Sequence, residues 1–179
     1  MKAFLLTLNF LFIFAAFSQN KNIDSMIDTS TVRNVDIKRY MGKWYEIARY
    51  PHSFEKGLTG VTATYKLLSN GRIEVTNSGY KNTLDGKLKT AKGKAKIPDQ
   101  NDPAKLKVSF FLFFYGDYYI LELDPDYQWV LIGSSSDKYL WILSRTPSLD
   151  PVIYNSLLEN AKNRGYDINK LIKVPQKEI

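Results

Sequence analysis

The 179-residue chain has no cysteine and only one histidine, His52. The missing thiols remove disulfides, thiol nucleophiles and thiolate metal sites at once, so sheet closure and core packing must carry stability unaided. They also remove attachment of a lipid through an N-terminal cysteine. Without a second imidazole, a metal centre built from histidine and cysteine is not expected, and His52 reads as a loop residue. No cofactor and no catalytic residue is assigned. The chain contains no Ser-His-Asp constellation, P-loop or dinucleotide fingerprint, no internal repeat and no nucleic-acid module. Its one long apolar run, Ala3 to Phe17, follows Lys2 and ends in Ala16-Phe17-Ser18. That run is shorter than the roughly 20 residues of a membrane span and has the flanks of a signal peptide. Residues 1–18 are therefore read as a signal peptide cleaved after Ser18. The mature protein is expected to be exported, periplasmic or secreted, and soluble, with no lipoprotein cysteine.

The remainder suits one domain. The formal charge is +7, and 12 Tyr and 10 Phe supply aromatic surface. Lys87, Lys89, Lys92, Lys94 and Lys96 alternate along a predicted strand, as on the wet face of a sheet. Their charge also favours anionic lipid headgroups or fatty carboxylates. Residues 19–34 are polar and irregular and read as a flexible lead-in to a domain spanning 35–179. Val35 to Met41 is expected to form a short helical turn plugging one barrel end. Eight strands follow: Lys43–Tyr50, Val61–Leu68, Arg72–Tyr80, Lys87–Ile97, Leu106–Phe111, Tyr118–Asp124, Gln128–Gly133 and Tyr139–Arg145. Asn70-Gly71, Asp85-Gly86, Pro98-Asp99 and Asp124-Pro125-Asp126 are the turns between them. Short strands in meander order predict an all-β fold, an eight-stranded antiparallel up-and-down barrel without exposed edges. Asp150-Pro151 then opens a C-terminal helix, an N-cap followed by proline at the first helical position. Val152, Ile153, Leu157, Leu158 and Ala161 share one face of this helix, and Gly165 ends it. Leu171 to Val174 adds a short strand.

The strand faces divide cleanly. Ala63, Tyr65 and Leu67 alternate with Thr62, Thr64 and Lys66. Ala91, Gly93 and Ala95 alternate with Lys92, Lys94 and Lys96, and Leu106, Val108 and Phe110 with Lys105, Lys107 and Ser109. A membrane barrel would reverse this, with apolar residues facing lipid. Glu46 shares a strand face with Trp44, which makes it either an interior carboxylate or an exposed one where the strand bends. The run Phe110-Phe111-Leu112-Phe113-Phe114-Tyr115 cannot be wholly buried by alternation. It suits membrane contact, a lid over the mouth or a homodimer interface.

Several segments in order carry a family resemblance: Gly42-Lys43-Trp44 opening the first strand, Arg49 to Leu58, Val61 to Tyr65, Lys107 to Phe111, Leu123 to Tyr127 leading into Val130 to Gly133, and Tyr139 to Pro147. Together they span about Asp36 to Val174. The chain resembles lipocalins of the group containing bacterial outer-membrane lipocalins, plant temperature-induced lipocalins and apolipoprotein D. It departs from the bacterial members, many of which are lipoproteins, in lacking cysteine. The resemblance implies that Trp44 and Arg145 stack at the closed barrel end in a structural role. It further implies binding, storage or transport of a small hydrophobic ligand (a fatty acid, lysophospholipid or phospholipid), with a role in envelope maintenance or stress. The inward-facing candidates for ligand contact are Ala63, Tyr65, Val75, Asn77, Ala95, Val108, Phe110, Tyr119, Leu121, Tyr139 and Trp141. Among these, Tyr65, Asn77, Tyr119 and Tyr139 are the groups available to bond a carboxylate or phosphate. Two other functions are weighed. One is a lipid-modifying enzyme of isomerase or de-epoxidase type, using an interior carboxylate such as Glu46 or Glu122; the isomerase chemistry uses a cysteine this chain lacks. The other is an envelope stress factor acting through protein contacts.

Overall fold

A computed structural model describes residues 27–178. The signal peptide and the start of the lead-in lie outside the described residues. The chain forms α1 (Ile37–Tyr40) and then β1 (Gly42–Arg49), β2 (Leu58–Leu67), β3 (Ile73–Lys81), β4 (Leu88–Lys96), β5 (Lys105–Phe111), β6 (Phe114–Leu123), β7 (Trp129–Gly133) and β8 (Trp141–Ser144). After these come α2 (Pro151–Asn163) and the two-residue β9 (Ile172–Lys173). Each strand from β1 to β8 pairs antiparallel with the next, and β8 returns to β1. The sheet is thus a closed eight-stranded barrel with α2 packed outside.

The turns form for local reasons. Asn70 Oδ1 accepts from Arg72 N at 3.1 Å while Gly71 takes a φ of +77°, the left-handed conformation that glycine adopts without a Cβ penalty. Asp124 Oδ2 accepts from the backbone N–H groups of Asp126 and Gln128. Strand β6 begins at Phe114, four residues before the expected Tyr118. The β5–β6 connection is a tight hairpin in which Phe111 pairs with Phe114 and Leu112 takes a φ of +47°.

Two apolar clusters result. One fills the lower barrel around Trp44, Tyr40, Ile73, Leu106, Val130 and Leu143. The other lies between the outer wall and α2, where Leu157 and Ala161 meet Ala48, Leu131, Leu140 and Ile142. Asp150 caps α2 by accepting from Val152 N at 2.7 Å. Val152 itself is 77% exposed, off the buried face to which the helical period assigned it. Arg164, just beyond α2, donates to Glu122 Oε1, Leu121 O and Ser30 O. Asp28 N in turn bonds Arg164 O. The lead-in is therefore tied to helix and wall from residue 27 onward.

The closed end is built around Arg145. Its guanidinium lies 3.8 Å over the Trp44 ring and donates to the carbonyls of Lys43, Arg39, Tyr40 and Tyr127 at 2.8–3.2 Å. Trp44 Nε1 donates to Tyr40 O at 2.9 Å. Gly42 precedes this contact because a Cβ there would sit 3.3 Å from Arg145 Nη1, and its φ of +96° disfavours any side chain.

The β1–β2 seam closes in two parts. Direct pairing runs only from Gly42↔Tyr65 to Tyr45↔Thr62. Above it β1 bulges between Glu46 and Ala48, and β9 pairs with Ala48 and Arg49. Gln176 Nε2 donates to both Glu46 O (2.7 Å) and Val61 O (3.0 Å), and Gly60 N bonds Pro175 O. Residues 172–176 thereby stitch the upper seam.

Replacing Arg145 with Ala removes the cation–π contact and the guanidinium's bonds to four carbonyls, of which that of Tyr40 keeps Trp44 Nε1 as a donor. We expect a loss of about 2–4 kcal/mol in urea unfolding. A change under about 0.5 kcal/mol would show that this contact does not hold the closed end.

Candidate functional site

Above the packed lower barrel the interior is hollow. The cavity measures about 730 Å³, within the range typical of small-molecule sites. Strand alternation supplies its wall. Of the sequence candidates, Ala63, Tyr65, Val75, Asn77, Val108, Phe110, Tyr139 and Trp141 line it. Tyr139 and Trp141 stack nearly parallel, with centroids 5.6 Å apart.

Three candidates lie elsewhere. Ala95 is buried in the packed lower cluster, too deep to reach the cavity. Tyr119 and Leu121 pack with the outer cluster under α2. The reason is a bulge in β6 between Ile120 and Glu122. On its mouth side Tyr118 and Ile120 pack inward, Leu121 packs outward, and on its closed-end side Leu123 returns to the interior cluster. A strict period of two through Tyr119, Leu121 and Leu123 therefore assigns the wrong face to the first two.

Tyr118 is the wall tyrosine in place of Tyr119. Its hydroxyl accepts from Tyr65 at 2.9 Å and lies 2.5 Å from that of Tyr40. Burial raises the pKa of all three phenols, so they stay neutral and satisfy one another. Asn77 Oδ1 is buried and has no hydrogen-bond partner among the described residues.

The most polar wall comes from β1 and the loop after it. Glu46 is 4% exposed and interior, which decides between the two sequence readings. Because of the β1 bulge, Arg49 also turns inward. Its Nη1 donates to Glu46 Oε1 at 2.5 Å, and its Nη2 donates to the carbonyls of Glu55 and Leu58. Glu55, on the short 3-10 turn Ser53–Glu55, is equally buried. Glu46 and Glu55 both line the cavity, as does Phe54. His52 lies in the loop, as read, but its side chain is buried, it stacks on Phe54 at 3.7 Å, and it approaches Trp141 at 5.5 Å. Glu55, Phe54 and His52 escaped the sequence reading because a folded loop carries no alternation. Among the described residues no cluster of three His, Cys, Asp or Glu is placed to hold a metal ion.

Burial, and next the charge of Glu55, push the Glu46 carboxyl well above the usual carboxylate range, while Arg49 opposes the shift. A carboxyl with a raised folded-state pKa takes up a proton on folding. Its stabilising effect is complete below the unfolded value of about 4.5 and is lost as pH rises toward the folded one. The lowered carboxyls Asp28 and Asp117 act only as pH falls toward and below 3.8, outside this window. Between pH 5 and 8 we expect wild-type stability to fall relative to Glu46→Gln by up to about 1.4 kcal/mol per pH unit. Paired urea titrations check this, and parallel profiles for the two proteins would remove the proton from Glu46.

Residues 35–176 match the family described as a lipocalin-like domain. The chain is 44% identical over 146 residues to the outer membrane lipoprotein Blc of Vibrio cholerae serotype O1, covering 81% of this chain and 85% of that protein. It is 36% identical over 184 residues to mouse apolipoprotein D, covering 98% and 95%. Insecticyanin from the tobacco hornworm shares the fold, with a TM-score of 0.67 at 21% identity over 84% of this chain and 86% of that one. The first of these relatives corrects one expectation. Its name is that of an outer membrane lipoprotein, against the soluble, unanchored protein inferred from the missing cysteine. A cysteine count bears on one route of lipid attachment and leaves every other membrane contact open.

Proposed function

This chain belongs to the lipocalin family, and on that premise we propose that its barrel binds and carries a lipid with an acyl chain: a fatty acid, lysophospholipid or phospholipid. The family typically binds small hydrophobic ligands. The observation that carries the finer reading is the cavity itself, about 730 Å³ and lined by Val75, Val108, Phe110, Ile132 and Leu143. A pocket with this mostly apolar wall takes up an alkyl chain through burial worth about 0.8 kcal/mol per methylene. The role in envelope maintenance or stress follows by family analogy.

Carriage is favoured over catalysis. Glu122, one of the two carboxylates weighed for acid–base chemistry, bonds Asn160 and Arg164 on the outer wall. Glu46 is held by Arg49. A lipid-modifying enzyme would need a free acid–base pair at the reacting atoms.

The mouth is also suited to meet a membrane. Phe111, Leu112, Phe113 and Phe114 are 60–85% exposed at the tip of the β5–β6 hairpin. Phe111 and Phe114 line the cavity as well. Lys94 lies 6.0 Å from the Phe113 ring, and Lys96 4.7 Å from that of Tyr115. An apolar tip flanked by ammonium groups fits an anionic bilayer, where rings enter the interface and lysines meet headgroups.

Native mass spectrometry of the protein, purified from its host and then delipidated and offered fatty acids and lysophospholipids, is expected to show one acyl lipid per barrel. It also reports whether a homodimer forms. No retained lipid under either condition would favour action through protein contacts. In co-sedimentation with phosphatidylglycerol vesicles, Phe113→Ser with Phe114→Ser is expected to lower binding about ten-fold or more. Equal sedimentation of variant and wild type would detach the hairpin from membrane contact.

A further inference from the structure

The cavity wall is unevenly provided with hydrogen-bonding groups. Glu46 and Glu55 place four carboxyl oxygens in a buried wall, at 4% and 5% exposure. The cation among them, Arg49, gives one hydrogen bond to a carboxyl oxygen and turns its other terminal nitrogen to two backbone carbonyls. Its Nε stays 3.9 Å from Glu55 Oε2. His52 Nε2 approaches the same oxygen at 2.9 Å but off the hydrogen-bond axis, so Glu55 Oε2 has no hydrogen-bond partner among the described residues. Asn77 Oδ1, also on the cavity, has none either. A buried acceptor left unpaired costs about 1–3 kcal/mol, so the wall can gain from a ligand that donates.

Charge points the same way. Two carboxyls face one guanidinium, with the His52 imidazole beside Glu55, so Glu46, Arg49 and Glu55 by themselves are neutral only when the carboxyls share one proton. A ligand carboxylate beside them adds a further negative charge where water is scarce. The lysines on the cavity lining, Lys56 and Lys89, are exposed. They are placed to hold an anionic head at solvent, away from the buried wall.

We propose that Glu46 and Glu55 form a donor-reading subsite. On this assignment the cavity prefers single-chain amphiphiles whose polar end donates hydrogen bonds and carries no negative charge, a primary amide or an alkylammonium. These bind polar end inward against the two carboxyls. Fatty carboxylates bind more weakly, with the head at the lysine rim. The proposal rests on the carrier reading and adds selectivity and orientation to it.

The test uses delipidated full-length protein loaded with Nile red, a neutral dye, at pH 7. Dodecanamide, dodecylammonium and dodecanoate share one chain length and compete for the dye below their micelle concentrations. Dodecanamide and dodecylammonium are expected to displace it about ten-fold more tightly than dodecanoate. In Glu55→Gln and in Glu46→Gln, whose fold is checked by circular dichroism, that ratio is expected to collapse toward one. Equal affinities in the wild type, or tighter dodecanoate, would overturn the proposal while leaving the carrier reading intact. A ratio that persists in both variants would overturn the assignment to these carboxyls. Failure of dye and all three amphiphiles to bind would overturn the carrier reading and this proposal together. The wild-type comparison decides by itself should either variant fail to fold.

Discussion

The Arg145 guanidinium holds the closed end of this barrel. It reaches from the end of β8 to the carbonyls of Arg39, Tyr40 and Lys43 and to that of Tyr127. In doing so it joins the plug helix, the first strand and the turn before β7 around one indole. A stacked, multiply bonded guanidinium suits this position because its planar fork makes several directed bonds without losing its cation–π face. With that end closed, the barrel has a floor, and the cavity above it extends to the opposite rim, where Phe111 and Phe114 line it.

Above the floor the interior changes character. The lower half is packed solid around Trp44, Ile73 and Leu106, while the upper half is hollow and carries the polar groups. The three tyrosines at the boundary satisfy one another, so Tyr65 and Tyr118 line an apolar chamber at little cost. The Glu46–Arg49–Glu55 group does not reach the same balance, since its acceptors outnumber the donors offered to them. An imbalance tolerated in a folded wall is common where a protein meets something else.

Much of this is legible in the amino-acid sequence. Gly42, Trp44 and Arg145 mark the closed end, and alternation along β2, β3 and β5 picks the strand face that lines the cavity at Ala63, Tyr65, Val75, Asn77, Val108 and Phe110, because a period of two leaves no freedom once one face is apolar. Three kinds of feature are not legible. Tyr119 and Leu121 lie next to a bulge, and one inserted residue reverses the face without changing the apolar pattern. Ala95 faces inward as read, but depth along a strand is set by what packs above it. Glu55 and His52 sit in a loop whose fold depends on contacts made after the barrel closes, and sequence periodicity is silent about those. The tether of the lead-in by Arg164 is likewise a contact between distant segments.

The upper β1–β2 seam has a further consequence. Gln176 bridges Glu46 and Val61, partners separated from it by 130 and 115 positions, and it does so at the height of the acidic wall. The ladder between β1 and β2 is local, whereas residues 172–176 reach the seam from the far end of the domain. Without them only the stretch from Gly42 to Tyr45 has its direct ladder to β2, and the side of the chamber holding Glu46 stands open to water. The wall beside Glu46 is complete only once residues 172–176 dock across the seam.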